Sequence, residues 1–128
     1  MTTLAETSGL AAADVMHRRA STLSASATVG EVREYFAGSG SHRIALLVDG
    51  GRYAGMVTPA VLPADADDAA PASVYAVRGP TISPDASADE ARDRTLAEPS
   101  RRMPVVDAEG ALVGIVAIDE NLTRFCGT

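Results

Sequence analysis

The stretch RRMPVVDAEGALVGIVAIDE, residues 101–120, reads as two apolar runs on either side of a turn. Met103-Pro-Val-Val106 is apolar, Asp107-Ala-Glu-Gly110 carries turn chemistry, and residues 112–116 resume the apolar run. That pattern predicts a β-hairpin. The same order occurs earlier in HRIALLVDGGRYAGMVTPAV, residues 42–61, with Ile44-Ala-Leu-Leu-Val48, the turn Asp49-Gly-Gly51 and a second run over 53–57. Two hairpins of one pattern point to a duplication, and a duplication governs every other reading of a chain.

Working outward, a shift of 59 residues lays residues 11–61 on 70–120 without a gap and pairs identical residues at 14 of 51 positions. Arg19/Arg78, Thr22/Thr81, Glu31/Glu90, Arg33/Arg92, Arg43/Arg102, Gly51/Gly110 and Gly55/Gly114 are among them. Ala on Ala means little in an Ala-rich chain, but Thr, Glu, Arg and Gly recurring in one register do not follow from composition. Each copy opens on a short apolar element (residues 12–16 and 72–77), passes a polar stretch around Thr22 or Thr81, and then starts a helix. Thr28-Val-Gly-Glu31 and Ser87-Ala-Asp-Glu90 are both S/T-x-x-E capping boxes. Val29, Val32 and Phe36 then recur at helical spacing, against the smaller Ala88, Ala91 and Thr95 in the second copy, where Pro99 ends the helix. The order per copy is strand, helix, strand, strand, short helix, which makes the fold class α+β.

This places a flexible N-terminus at 1–10, repeat 1 at 11–63, an acidic linker at 64–69, repeat 2 at 70–122 and a C-terminal tail at 123–128. The linker lies in Pro63-Ala-Asp-Ala-Asp-Asp68, whose bunched carboxylates lack the spacing of a calcium loop and read as solvated surface. With 128 residues in all, each copy sits near the lower size limit for a self-sufficient core, so the copies are expected to share one. The composition is 46% hydrophobic but only 4% aromatic with no Trp, which leaves small aliphatic side chains to fill the interior.

The net charge of −6 without a basic run argues against nucleic-acid and anionic-membrane partners, which need a contiguous positive surface. All eleven basic residues are Arg, so an anion site would use the planar guanidinium. The longest uncharged apolar run, 111–118, is too short to span a bilayer, and the N-terminus lacks a basic region followed by an apolar one. A cytoplasmic protein is expected. Cys126 is the only cysteine, which leaves no disulfide framework and no thiol metal cluster. Phosphate-binding Gly-rich loops, H-E-x-x-H and G-x-S-x-G motifs are missing, and two His with one Cys leave few parts for a nucleophilic triad, so an enzyme is not expected.

At residues 101–120 the chain resembles the C-terminal half of a CBS domain: a basic pair, an apolar-Pro-Val-apolar-Asp strand, a Gly turn, then Gly-apolar-apolar-Ser/Thr-x-x-Asp. Residues 42–61 follow the same pattern less closely, and PTISPDASADEA, residues 80–91, looks like the approach from strand to helix. The resemblance covers residues 11–122 and implies two β-α-β-β-α CBS units, a Bateman module, packed sheet to sheet with pseudo-twofold symmetry. It also implies a homodimer, with an unknown protein partner downstream. In many members the clefts take AMP, ADP, ATP or S-adenosylmethionine as a regulatory ligand, with no cofactor required. There the Ser/Thr and Asp of the last motif hold the ribose and the basic pair reaches the phosphates.

Carried over by position, copy one supplies Thr58 but has Val61 in place of the Asp, whereas copy two has Ala117 in place of the hydroxyl residue and Glu120 in place of the Asp. A carboxylate accepts from both ribose hydroxyls and Val61 accepts from neither. A hydrogen bond to a charged group contributes roughly 1.5 to 3 kcal/mol, so its loss weakens binding about ten- to a hundredfold. The phosphate-side pair is kept in both copies, His42-Arg43 and Arg101-Arg102. The expected site is therefore Thr58, Glu120, His42, Arg43, Arg101 and Arg102. The bland readings stand beside it: the two arginines as surface ion pairs, His42 as an exposed loop residue, and Thr58-Pro59 as a helix cap with a first-turn Pro. The expected function is a stand-alone regulatory module that senses an adenine nucleotide or a related anion in the cleft between repeats. The alternative is a ligand-free dimerisation or interaction scaffold with degenerate nucleotide sites.

Overall fold

In the computed structural model, described over residues 2–40 and 42–126, the chain runs α1 (Ala12–Val15), β1 (Thr22–Ser24), α2 (Val29–Ala37), β2 (Ala45–Asp49), β3 (Arg52–Val57), α3 (Ala88–Leu96), β4 (Arg102–Val106) and β5 (Leu112–Ala117). One-turn 3-10 segments lie at Pro59–Val61 and Ala72–Tyr75. Ser41, which the repeat pairs with Ser100, and the outermost residues of the expected lead and tail lie outside the described residues. The chain forms two compact units. One is continuous, Ser21–Gly79; the other is split, joining residues up to Ala20 with those from Pro80 on.

In the continuous unit β1 runs parallel to β2 and β2 antiparallel to β3. Val77 extends the sheet by exchanging both backbone bonds with Met56, at 2.8 and 2.9 Å. Thr28 opens α2 with the full reciprocal box: its hydroxyl accepts from the Glu31 amide and its own amide donates to Oε1 of Glu31. Val32 of α2 is buried with Ala45, Leu47, Val57 and Ala72. Tyr35 and Phe36 pack half-buried on the same cluster.

The split unit repeats this plan. β4 and β5 pair antiparallel, Ile82 bridges Val105 in parallel on one side, and His17 bridges Ile115 on the other. Its core gathers Ala12, Val15 and Met16 from α1 and its end, Ala88 and Ala91 from α3, the strand residues Met103, Val105 and Val116, and Phe125. The expectation of one shared core is thus changed in form. Each unit holds a core cluster of its own, and each cluster draws its opening element from the other repeat. A one-turn helix has no stability of its own and forms where its apolar side chains find cover.

Several local expectations are corrected. The apolar openers are helical turns, not strands, and the strand of copy one lies in the polar stretch at Thr22–Ser24. Its counterpart in copy two shrinks to the single Ile82 bridge. The last short helix of copy two is replaced by a turn that Asp119 organises, its carboxylate accepting from the Thr123 amide at 2.8 Å and the Thr123 hydroxyl at 2.9 Å. Only half of the second capping box closes, because Ser87 accepts from the Glu90 amide while the Glu90 carboxylate pairs with Arg94 at 3.5 Å. The lead, expected to be flexible, is tied down by Leu4 and Thr7, and the tail delivers Phe125, fully buried, into the core.

The gapless repeat conceals compensating slips. Met56 bonds Val77 where Ile115 bonds His17, and Ala72 donates to Ala27 where Ala12 donates to Ala86, so the openers correspond one residue beyond the 59-residue shift. Leu47 faces Gly55 and Val105 faces Gly114, so the first hairpin strands correspond one residue short of it. Arg43 therefore corresponds to Arg101, and Ile44 to Arg102. The hairpin turn of copy two is one residue longer, which restores the shift at Gly51 and Gly110, both at positive φ, 86° and 87°.

Candidate functional site

Hairpin pairing decides which of the expected site residues meet. In the split unit Arg102 faces Ala117, and the Ile118 amide donates to the Arg101 carbonyl at 3.1 Å. The basic pair and the end of β5 thus share one end of the hairpin. In the continuous unit Ala45 faces Val57, and one step further along lie Ile44 and Thr58. The same end of that hairpin holds Arg43 and Thr58. The six expected residues therefore fall into two groups, His42, Arg43 and Thr58 in one unit and Arg101, Arg102 and Glu120 in the other.

Their side chains are differently committed. Arg102 Nη1 donates to the carbonyls of Arg101 at 3.0 Å and Ile118 at 3.1 Å, which fixes the guanidinium over the end of β5. Arg101 sits in the left-handed region, φ 55°, and donates from Nη1 to the Glu98 carbonyl at 2.6 Å. Arg43, its counterpart, has no such backbone turn. His42 stacks on Tyr35 with ring centroids 4.1 Å apart and donates from Nδ1 to the Tyr35 carbonyl at 2.7 Å. Burial pushes the Tyr35 phenol up, the Ser21 hydrogen bond opposing it. Thr58 holds the cap position before Pro59, yet its hydroxyl makes no cap bond. The cap reading of Thr58-Pro59 is thus right for the backbone alone. Val61 is 38% exposed, and Glu120 is exposed.

The register slip corrects one inference. The equivalent of Arg102 is the buried Ile44, so the basic pair is kept as Arg43/Arg101, while Arg102 is an addition of the second copy. Asp119, next to Glu120, is spent on its own turn, and the Thr123 amide holds its carboxyl below the usual range.

Sequence reasoning missed a cleft of about 420 Å³ on the split unit, lined by Thr2, Ala13, Asp14, Met16, His17, Arg18 and Arg19. The signal lay in the repeat: Arg18 is the counterpart of Arg78, which in the continuous unit donates to the Tyr53 carbonyl at 3.2 Å while the Tyr53 hydroxyl donates to the Arg78 carbonyl. Burial raises the Tyr53 phenol to about 12. Among the described residues no group of three or more His, Cys, Asp or Glu side chains is placed to hold a metal, and no helix is long and apolar enough to cross a membrane.

A family model described as CBS domain matches residues 12–60 and 74–120. No curated protein matches the chain. Among solved structures, the CBS-pair protein CBSX2 from Arabidopsis thaliana is 20% identical over 86% of this chain and 89% of that one, with a TM-score of 0.73. CBSX2 in complex with AMP is 21% identical over 89% and 93% of the two chains, TM-score 0.73. The cytosolic domain of the Mg2+ channel MgtE, in complex with ATP, is 25% identical over 93% of this chain and 50% of that one, TM-score 0.72.

Proposed function

The chain belongs to the CBS domain family as a tandem pair, and from that membership we propose that it is a regulatory module which takes up an adenine nucleotide at its hairpin ends. The observation that carries this reading is the pairing of β4 with β5, which sets Arg101 and Arg102 beside the end of β5 with Glu120 just beyond. The Thr58 hydroxyl, unspent on capping, supports a partial counterpart in the continuous unit. That CBSX2 and the MgtE domain are structures with AMP and ATP gives the ligand class its prior. With Val61 in the carboxylate position, recognition shifts from ribose to phosphate. Self-association to a dimer belongs to the same reading, and light scattering at high micromolar concentration measures it.

Titration calorimetry with adenosine, AMP and ATP tests the proposal. Affinity should rise in that order and fall steeply with salt, because exposed guanidinium-phosphate attraction is screened. Arg102→Ala should cost more affinity than Thr58→Ala, since a guanidinium partner of phosphate contributes more than a neutral hydroxyl. Adenosine binding as tightly as ATP would remove the phosphate-led site. Absence of binding by all three favours the second reading, a ligand-free interaction scaffold, which draws its support from the exposed Val61 and from the guanidinium contacts that Arg101 and Arg102 already make to their own backbone.

A further inference from the structure

Residues up to Ala20 belong to the split unit, yet the next residue of that unit in the chain is Pro80. No local peptide connection holds the opening strip in place; non-covalent bonds do. They are evenly distributed along it. Leu4 donates to the Thr123 carbonyl at 3.0 Å, and the Leu10 carbonyl accepts from Ala88 at 2.8 Å. The Ala12 amide donates to Ala86 at 2.7 Å, and His17 exchanges both bonds with Ile115. Arg92 of α3 fastens the outer end, donating from Nη1 to the Leu4 carbonyl and the Thr7 hydroxyl, each at 3.2 Å, while that hydroxyl donates to Asp89. The inner end is fitted over Gly114, where an added Cβ would stand 2.6 Å from Met16 Sδ and 2.9 Å from the His17 carbonyl oxygen.

The continuous unit shows the same fastener. Arg33, at the position of Arg92 in the repeat, donates to the carbonyls of Pro63, Ala64 and Ala66 and pairs with Asp68. Ala64 is the counterpart of Leu4 under the register of the openers. The acidic linker and the N-terminal lead, which share no sequence signature, are therefore the same structural part.

We propose that residues 2–17 form a strap that leaves the split unit as one cooperative piece, held by Arg92 at one end and by the fit over Gly114 at the other. Its single helical turn, α1, cannot persist undocked, so partial release propagates along the strip. Release uncovers the core around Phe125 and dismantles the cleft, whose lining comes from the strap and the residues that continue it. The state of the strap thus decides whether that cleft exists, independently of the nucleotide reading.

Hydrogen-exchange mass spectrometry on the full chain tests this. Arg92→Ala and Gly114→Ala should each speed exchange about tenfold or more over the whole of residues 4–17, with residues 29–49 unchanged. Thr7→Ala serves as the milder variant should Gly114→Ala fail to fold, and should speed the same stretch together. Arg33→Ala should loosen residues 63–69 and leave 4–17 protected. A change confined to residues 4–7 in Arg92→Ala, an equal rise through β4 and β5, or loosening of residues 4–17 by Arg33→Ala would each overturn the strap.

Discussion

Thr95 lies wholly inside the split unit, and among the described residues its hydroxyl has no hydrogen-bond partner. A buried polar group left unpaired costs about 1 to 3 kcal/mol, and Val reproduces the branched shape without the hydroxyl. Thr95→Val should therefore raise stability by about 1 kcal/mol, read from the urea midpoint at unchanged slope; a loss of stability would mean that the hydroxyl has a partner in solution. Asp119 offers the opposite case. Its folded-state pKa is depressed, first by the Thr123 amide bond, so its contribution is present above the unfolded value near pH 4 and is lost as pH falls through the lower folded value. Thermal melts from pH 6 down to pH 2 should show Asp119→Asn converging on the wild type at the acid end, and parallel curves throughout would refute this assignment. At this scale the sequence made the site chemistry legible as residue types, Thr58, Glu120 and the arginines, but not their commitments. Whether a guanidinium faces a ligand or its own carbonyls depends on a backbone turn such as that at Arg101, which no local pattern encodes.

Between elements, the two helices show how much a sequence motif decides and where it stops. Thr28 and Ser87 both start helices where the S/T-x-x-E motif puts them, yet only the Thr28 box closes reciprocally, since Glu90 has Arg94 one turn on as a competing partner. Thr28→Ala should accordingly cost more than Ser87→Ala, about 1 to 2 kcal/mol against about 0.5 to 1. Equal losses in chemical denaturation would show the second half of the box to be inert. The hairpins were legible for the same reason as the helices, because apolar runs and turn residues act over a few neighbours. The register slips were not. A residue lost before β4 and gained in the next turn leaves the overall shift intact, so Arg43/Arg102 look equivalent by coincidence, and so do the Ala matches of the openers. Glu31/Glu90, Arg33/Arg92, Gly51/Gly110 and Gly55/Gly114, which lie where the shift is true, mark caps, fasteners, turns and close approaches.

At the scale of the whole chain, the boundaries of the sequence repeats differ from those of the compact units, and this has a consequence for fragments. Residues 1–63 contain repeat 1 in full but lack Ala72, which completes the core of the continuous unit, and they carry α1 without the α3 and β5 surfaces that bury it. Residues 21–79 cut across both repeats, yet they hold β1, α2, β2, β3 and their own opener, with Arg33 still able to fasten the linker. At about 60 residues such a fragment is marginal, but the cluster of Val32, Ala45, Leu47, Val57 and Ala72 lies wholly within it. We expect the 21–79 fragment to melt cooperatively by circular dichroism and the 1–63 fragment to give an unfolded or aggregating product. The reverse result would mean that stability follows the repeat and not the exchanged openers, and the two-cluster account of the core would fall with it.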